Sequence, residues 1–234
     1  MTDDSTPTTP RIEVVVAAPA DEVWHALRDR DALRQWHGWD SGGDTAALDA
    51  EIDSIYFTDV HEDPARRLLT ANGGDRFAVE PHADGARVVL TRAPLSGDAD
   101  WDAYYDEVTE GWITFLHQLR FALERPRGAA RRTLFFSAPA TPRRAVLARL
   151  GLDGQDAPPG APYAAPAMDL AGDVWFRSPR QLGVTVDAWG PGLLAVAGAP
   201  GSDTAMAVLS TFGLPDAEFK ALEQRWTDWW HDRD

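Results

Sequence analysis

The first half of the chain begins with two different apolar periods. Residues Ile12 to Val16 form a β-branched run that ends in an Ala-Pro turn, and Val23, Trp24 and Leu27 then recur at the spacing of one helical face. This pattern predicts a strand, a turn and a helix. A second short helix is predicted over Asp31 to Trp36, before a glycine-rich segment.

Short strand-like runs follow, separated by turn signals such as Asn72-Gly73-Gly74 and Asp84-Gly85. They cover Ile52 to Thr58, Arg67 to Thr70, Phe77 to Glu80 and Ala86 to Thr91. Because consecutive strands joined by short turns pair with their neighbours, we expect an antiparallel meander. The half closes with a predicted helix over Tyr104 to Arg125, whose apolar residues recur at three- and four-residue steps and so form one face for the sheet.

The second half repeats this order. Thr133 to Phe136 precede an Ala-Pro turn, as Val14 to Ala17 do in the first half, and the helical segment RRAVLARL follows. A loop rich in Pro, Gly and Ala over Asp153 to Ala167 comes next, and a last helix is predicted over Asp216 to His231. Between them lie strand-like runs over Val174 to Arg177, Gly183 to Ala188, Leu193 to Ala197 and Ala205 to Thr211.

This repetition predicts an α+β fold of two tandem units, in each of which a long C-terminal helix packs against an antiparallel sheet. We expect a disordered tail over 1–10, which is acidic, polar and rich in proline. The first unit is predicted over 11–125, a linker over 126–132, and a second, degenerate unit over 133–234.

Composition excludes several classes of partner and chemistry. The 234 residues include 37 acidic and 22 basic side chains, and the net charge of −15 repels nucleic acid and anionic lipid. No apolar stretch is long enough to span a bilayer. The chain has no cysteine, which excludes disulfides, thiolate metal ligands and thiol nucleophiles. With no cleavable apolar leader, these features predict a cytoplasmic protein.

Three segments carry a family resemblance. The stretches IEVVVAAPADEVWHAL and DALRQWHGWD, together with Glu110-Gly111-Trp112 in the long helix, resemble the START-like SRPBCC superfamily. Within it they resemble the branch named for activators of the heat-shock-protein-90 ATPase. The resemblance implies tandem helix-grip units, in each of which an antiparallel sheet curls around the long C-terminal helix and leaves a cavity between them. Members include lipid carriers, hormone receptors and polyketide cyclases, so the fold does not choose the function.

Tryptophans and other large side chains indicate where that cavity lies. We expect it between the first sheet and the helix that contains Trp112, with Tyr56 and Phe77 contributed by strands and His37 acting as a polar anchor at its mouth. The candidate ligand-binding residues are Trp36, His37, Trp39, Tyr56, Phe77, Arg92, Trp112, Phe115 and Leu119.

Carboxylates offer a second kind of polar group. One or two of Glu51, Asp53 and Glu110 could point into the cavity. If Glu110 has a structural role and not a catalytic one, we expect it to form an internal ion pair with Arg92. No catalytic residue is assigned, because a convergent acid and base cannot be identified. The chain also lacks metal-ligand spacings, a nucleophile elbow, a P-loop and Rossmann glycines, so no metal and no cofactor are predicted.

Three functions remain open. The favoured one is binding of an apolar or aromatic small molecule without covalent chemistry, which needs only aromatic walls and a few polar anchors. A protein-interaction domain with a co-chaperone-like role is the alternative, with a protein partner. A cyclase or hydratase, in which His37 and a carboxylate move protons, is the third.

Overall fold

A computed structural model of the chain describes residues 9–40, 45–98, 102–125, 129–154, 156–201 and 203–232. In the first half, the elements are β1 (Arg11–Val16), α1 (Ala20–Arg28), α2 (Arg30–Arg34), α3 (Thr45–Tyr56), β2 (His61–Asp63), β3 (Leu68–Ala71), β4 (Asp75–His82), β5 (Gly85–Thr91) and α4 (Tyr105–Glu124). In the second half, they are β6 (Arg131–Ala138), α5 (Arg143–Leu150), β7 (Pro162–Ala165), β8 (Leu170–Arg177), β9 (Gln181–Thr185), β10 (Gly192–Gly198), β11 (Ala205–Phe212) and α6 (Asp216–His231).

The strands form two separate antiparallel sheets with the same order. The first sheet runs β1-β5-β4-β3-β2 and the second β6-β11-β10-β9-β8-β7. In each, the first strand of the half pairs with the last one, and the remaining strands form a meander. Each sheet is followed by a long helix that packs on it. The predicted α+β class with an antiparallel sheet and a long C-terminal helix in each half is therefore confirmed.

The two sheets and their helices stack in layers. The inner face of the first sheet packs against α1, α2, α3 and one side of α4. The opposite side of α4 contributes Ile113, Phe121 and Ala122 to a small core with the second sheet. The other face of the second sheet is covered by α5, α6 and the β7–β8 hairpin. Helix α4 is therefore the middle layer between the two sheets.

One predicted strand of the first half is a helix. The run over Ile52 to Thr58 was expected to pair in the meander, but α3 extends through Tyr56. Its buried side chains are Leu48, Ile52 and Tyr56, which recur every fourth residue. This is the helical period, and it outweighs the β propensity of the short Ile-Tyr-Phe segment. The first sheet instead acquires its edge strand from His61–Asp63, which was not predicted.

The second half has more strands than its sequence predicts. The segment over Asp153 to Ala167 was expected to be a loop, but it contains β7, which pairs with β8. The hydroxyl of Tyr163 donates to the carbonyl of Thr185 at 2.7 Å and ties β7 to β9. A segment rich in proline does not look like a strand, but a proline at an edge strand removes no ladder hydrogen bond. Composition alone therefore did not reveal β7.

The predicted boundaries can be placed on these elements. Strand β6 begins at Arg131, inside the segment expected to be a linker, and 126–128 lie outside the described residues. Most of the predicted tail, 1–8, also lies outside them. In the described part of the chain, no helix has both the length and the apolar character needed to cross a membrane.

Candidate functional site

The space between the first sheet and α4 is filled by aromatic side chains. Tyr56, Phe77 and Trp112 are each at most 2% exposed, and their ring centroids lie 5.2 to 6.3 Å apart. Trp36 and Leu119 belong to the same buried core. The prediction of a cavity at this place is wrong: these five side chains interdigitate. Tyr56 also comes from helix α3 and not from a strand, whereas Phe77 lies on β4 as expected.

A cavity of about 530 Å³ lies beside α4, between α3 of the first half and the second sheet. Three of the predicted ligand-binding residues, Trp39, Trp112 and Phe115, line it. The facing wall comes from β6, β10 and β11, and its residues are Phe135, Ala195, Ala197, Met206 and Val208. The cavity therefore lies between the two halves of the chain.

Small residues on both walls explain why this space stays open. Gly111 on α4 presents no side chain, and Ala195 and Ala197 occupy alternate positions of β10 on the face towards the helix. Two packed layers held apart by large neighbouring rings cannot close over such short side chains. None of these residues was singled out from the sequence as lining a site, because alanine in a strand looks the same whether it faces a core or a cavity.

The segment from His37 to Asp40 joins the two halves beside this cavity. The Trp39 ring stacks on Phe135 with centroids 4.3 Å apart and planes within 3°. The backbone amide of Asp40 donates to the Thr133 hydroxyl at 2.8 Å, and the amide of Thr133 donates to the Asp40 carboxylate at 3.0 Å. The segment from His37 to Asp40 thus docks strand β6 onto the first half.

Arg131 reinforces the same junction. Its buried guanidinium donates to the carbonyls of His37 and Gly38 at 3.0 and 2.8 Å, and also to Gln118 and Ser210. Burial lowers the pKa of Arg131 to about 10, so it remains a cation at neutral pH. Each of these direct partners is a neutral oxygen, so Arg131 on β6 joins His37, Gly38 and Gln118 of the first half to Ser210 on β11 through hydrogen bonds.

His37 lies behind the cavity wall and not at a mouth. Its side chain is fully buried, between Trp36, Tyr56 and Phe115. Nδ1 is 3.0 Å from the Tyr56 hydroxyl, and Nε2 is 3.3 Å from Oε1 of Glu51. Burial lowers the pKa of His37 and raises that of Tyr56 well above its ordinary value. The expected role of His37 as a polar anchor at the cavity mouth is therefore wrong.

The donor and acceptor roles in the hydrogen-bonded series Glu51, His37 and Tyr56 follow from the groups at its two ends. An ionised Glu51 only accepts, so Nε2–H of His37 donates to it, and the neutral imidazole then accepts at Nδ1 from the Tyr56 hydroxyl. The hydrogen bond from His37 holds the pKa of Glu51 below its ordinary value. Glu51 itself lines the cavity, with its side chain 49% exposed. The sequence had suggested it as an inward carboxylate, although on a strand.

The other predicted polar residues are placed differently. Arg92 does not pair with Glu110: its Nε donates to Asp75 at 2.9 Å, and Asp75 also accepts from Nε1 of Trp112. Glu110 lies at the cavity wall, where it accepts from the side chain of Gln181 at 2.7 Å. The predicted ion pair between Glu110 and Arg92 is therefore wrong, because the carboxylate of Asp75 on β4 binds the guanidinium instead.

Arg92 instead borders a second, more polar pocket of about 550 Å³, with Asp75 and Tyr105 among its lining residues. Asp53, the third carboxylate considered, points away from the cavity and pairs with Arg30 at 2.7 Å. Among the described residues, no three His, Asp or Glu side chains are grouped so that they could hold a metal ion.

Comparisons with known proteins give no family assignment. No protein-family model matches the chain, and no curated protein matches it. Among solved structures, it is similar to DynU16, a protein of the dynemicin biosynthetic locus, at 20% identity and a TM-score of 0.35, with 96% of each chain covered. The resemblance to the START-like superfamily and its heat-shock-protein-90 activator branch stays a prediction.

Two further similar structures are di-domain ARO/CYC proteins. BexL, from the BE-7585A biosynthetic pathway, is 14% identical with a TM-score of 0.35, and StfQ, from the steffimycin pathway, is 12% identical with a TM-score of 0.36. Each alignment covers 92% of this chain and 87% of the other. Similarity at this level does not assign an activity.

Proposed function

We propose that the chain binds an apolar or aromatic small molecule, without covalent chemistry, in the cavity between α4 and the second sheet. The observation that carries this proposal is the cavity itself. Its volume of about 530 Å³ lies in the range of small-molecule sites, and its walls combine the rings of Trp39, Phe115 and Phe135 with aliphatic side chains. An aromatic ligand would bury much of its surface there and stack on these rings.

The polar groups at the cavity support binding more than catalysis. A general base works best with a pKa near neutrality, whereas the hydrogen bond from His37 holds the pKa of Glu51 down. His37 is fully buried behind Glu51, with both ring nitrogens already in hydrogen bonds. Thr114, another lining residue, donates its hydroxyl hydrogen to Gln181 at 2.7 Å. These polar groups already form hydrogen bonds within the protein, and these bonds fix the cavity walls.

The first test is to identify what the protein carries and whether the cavity holds it. We expect solvent extraction of natively purified protein, followed by mass spectrometry, to release an apolar compound in stoichiometric amount. The neutral fluorescent probe N-phenyl-1-naphthylamine should bind protein from which that compound has been removed. Ala197→Phe, which places a ring inside the cavity, should weaken probe binding by more than about tenfold.

Ala171→Phe is the matched control, because Ala171 lies on β8 of the same sheet and is exposed. This variant should bind the probe as the wild-type protein does. Equal probe affinity in the wild-type protein and Ala197→Phe would contradict the proposed site, and so would the absence of both a bound compound and probe binding.

A further inference from the structure

One carboxylate of the cavity is held from behind by a buried hydrogen-bond chain. The Tyr56 hydroxyl donates to His37, and His37 donates to Oε1 of Glu51 at 3.3 Å. Oε2 of Glu51 has no hydrogen-bond donor among the described residues. The chain thus orients Glu51 in the wall and leaves one of its oxygens for a group inside the cavity.

No cationic side chain lines the cavity among the described residues, and Arg131, which donates to the carbonyls of His37 and Gly38, is not a lining residue. Glu110 already accepts a hydrogen bond from Gln181 and lies 3.7 Å from Arg180, which is not a lining residue. A carboxylate or phosphate ligand would therefore enter beside Glu51 without a partner, which costs free energy in a partly desolvated site.

The aromatic walls favour the opposite charge. Trp39 and Phe115 lie with ring centroids 5.8 Å apart, and Trp39 stacks on Phe135. The face of an aromatic ring attracts cations through its quadrupole, and more strongly where water is excluded. Glu51 and these rings therefore act in the same direction on the charge of a ligand.

We propose that the ligand of this cavity carries a protonated amine, and that Glu51 is the residue that selects it. The inference rests on the proposed function and specifies its ligand class: an apolar or aromatic amine in its cationic form. The ammonium group donates to Oε2 of Glu51, while the apolar part of the ligand lies against Trp39, Phe115 and Phe135. His37 and Tyr56 are positioning residues, because they hold Glu51 and lie behind it.

Three matched probes test this selection by isothermal titration calorimetry. They are 2-naphthylmethylammonium, the neutral 2-naphthalenemethanol and the anionic 2-naphthoate, which share one ring system and differ in charge. We expect the cation to bind about tenfold or more tightly than the alcohol, since hydrogen bonds to charged groups are the stronger ones. The anion should bind most weakly.

Glu51→Gln sharpens the test, because the amide oxygen can still accept from His37 and keep the wall in place. Its NH₂ group then replaces Oε2, so a donor faces the cavity where an acceptor stood. We expect the cation to lose about tenfold or more in affinity and the anion to gain. The alcohol should change less than about threefold, because its hydroxyl can donate or accept.

Glu22→Gln is the control for overall charge, because it removes one negative charge from an exposed position on α1 that does not line the cavity. It should leave the three affinities as in the wild-type protein. Equal binding of all three probes, or a Glu51→Gln variant that keeps the wild-type preference, would overturn the selection while leaving the cavity as a binding site. If none of the probes binds, both this inference and the proposed function are wrong.

Discussion

The first sheet has one face towards solvent, whereas the second sheet is covered on both faces. Along β1, buried and exposed positions alternate, and the outer face of the first sheet carries charged residues such as Glu13, Glu80 and Arg87. Strand β9 is buried at every position, and β10 at all but its last. The same strand order can thus serve a surface sheet or a central one.

This difference shows where a binding cavity can form. On its solvent side, the first sheet has no opposing layer among the described residues. On its inner side large rings fill the space, apart from the polar pocket beside Asp75 and Arg92. The second sheet faces α4 through small side chains over part of its area and through bulky ones elsewhere. Because the bulky contacts set the spacing of the layers, the small residues leave a gap between them.

The largest effect is expected at an arginine of the covered sheet. Arg131→Ala leaves the carbonyls of His37 and Gly38 and the oxygens of Gln118 and Ser210 without their donor. Since unsatisfied buried groups are costly, we expect the free energy of unfolding to fall by about 3 kcal/mol or more, measured by urea denaturation.

Arg87→Ala on the outer face of the first sheet is the matched control. Arg87 pairs with Glu80 at the surface, and exposed ion pairs contribute little. We expect a change close to the error of the measurement. Similar losses for the two arginine variants would break the comparison between the sheets.

The next effect concerns a glycine that the covered sheet needs. The ring of Phe176 on β8 points towards α4, where it stacks on His117. A Cβ at Gly183 on β9 would overlap this ring. Gly183→Ala should therefore destabilise the protein by about 2 kcal/mol through overpacking. Thermal unfolding followed by circular dichroism measures this loss.

Gly111→Ala, in the helix that faces the same sheet, should have the opposite sign. A Cβ there would meet the Phe115 ring at 3.9 Å, an ordinary contact, and alanine favours a helix by about 0.5 to 1 kcal/mol over glycine. A stable Gly183→Ala variant would mean that the second sheet is less tightly covered than the structure has it.

A third effect, present only below neutral pH, is a pH dependence carried by His117. Nδ1 of His117 is shielded from solvent with no partner among the described residues, and burial lowers its pKa from 6.5 to about 3. The unfolded chain therefore takes up a proton below pH 6.5 that the folded one does not. Stability is lost as the pH falls, by about 2 kcal/mol between pH 7 and pH 5 from this group.

His117→Phe isolates that contribution, because Phe can keep the stacking on Phe176 and has no nitrogen to protonate. Its unfolding free energy, measured by urea denaturation at each pH, should fall less than that of the wild-type protein between pH 7 and pH 5. The same slope for both proteins would show that α4 leaves His117 open to solvent.

The local elements were largely readable from the sequence. Helices α1, α4 and α6 follow from apolar residues at helical spacing, and α5 coincides with the segment RRAVLARL. Helix α3 was missed because the prediction considered only Ile52 to Thr58. Leu48, Ile52 and Tyr56 are spaced four residues apart, and this spacing reveals the helix. Periodicity is a local property, so a wider window would have found it.

The candidate site was readable only in part. Trp39 and Phe115 line the cavity, Trp36, Tyr56 and Phe77 belong to a packed core, and Trp112 belongs to both. All of these residues are aromatic, and the sequence does not show which of the rings border a gap between packed layers.

By itself, the sequence determined most of the helices and strands and their order in each half, together with the acidic charge and the absence of thiol chemistry. These features depend on neighbouring residues or on composition. Only the tertiary structure decided that α4 lies between two sheets, that Arg131 holds the halves together, and that Glu51 meets β10 and β11 across a cavity. A cavity is the space left when layers from distant parts of the chain pack, and its position follows from the sizes of side chains that are not neighbours in sequence.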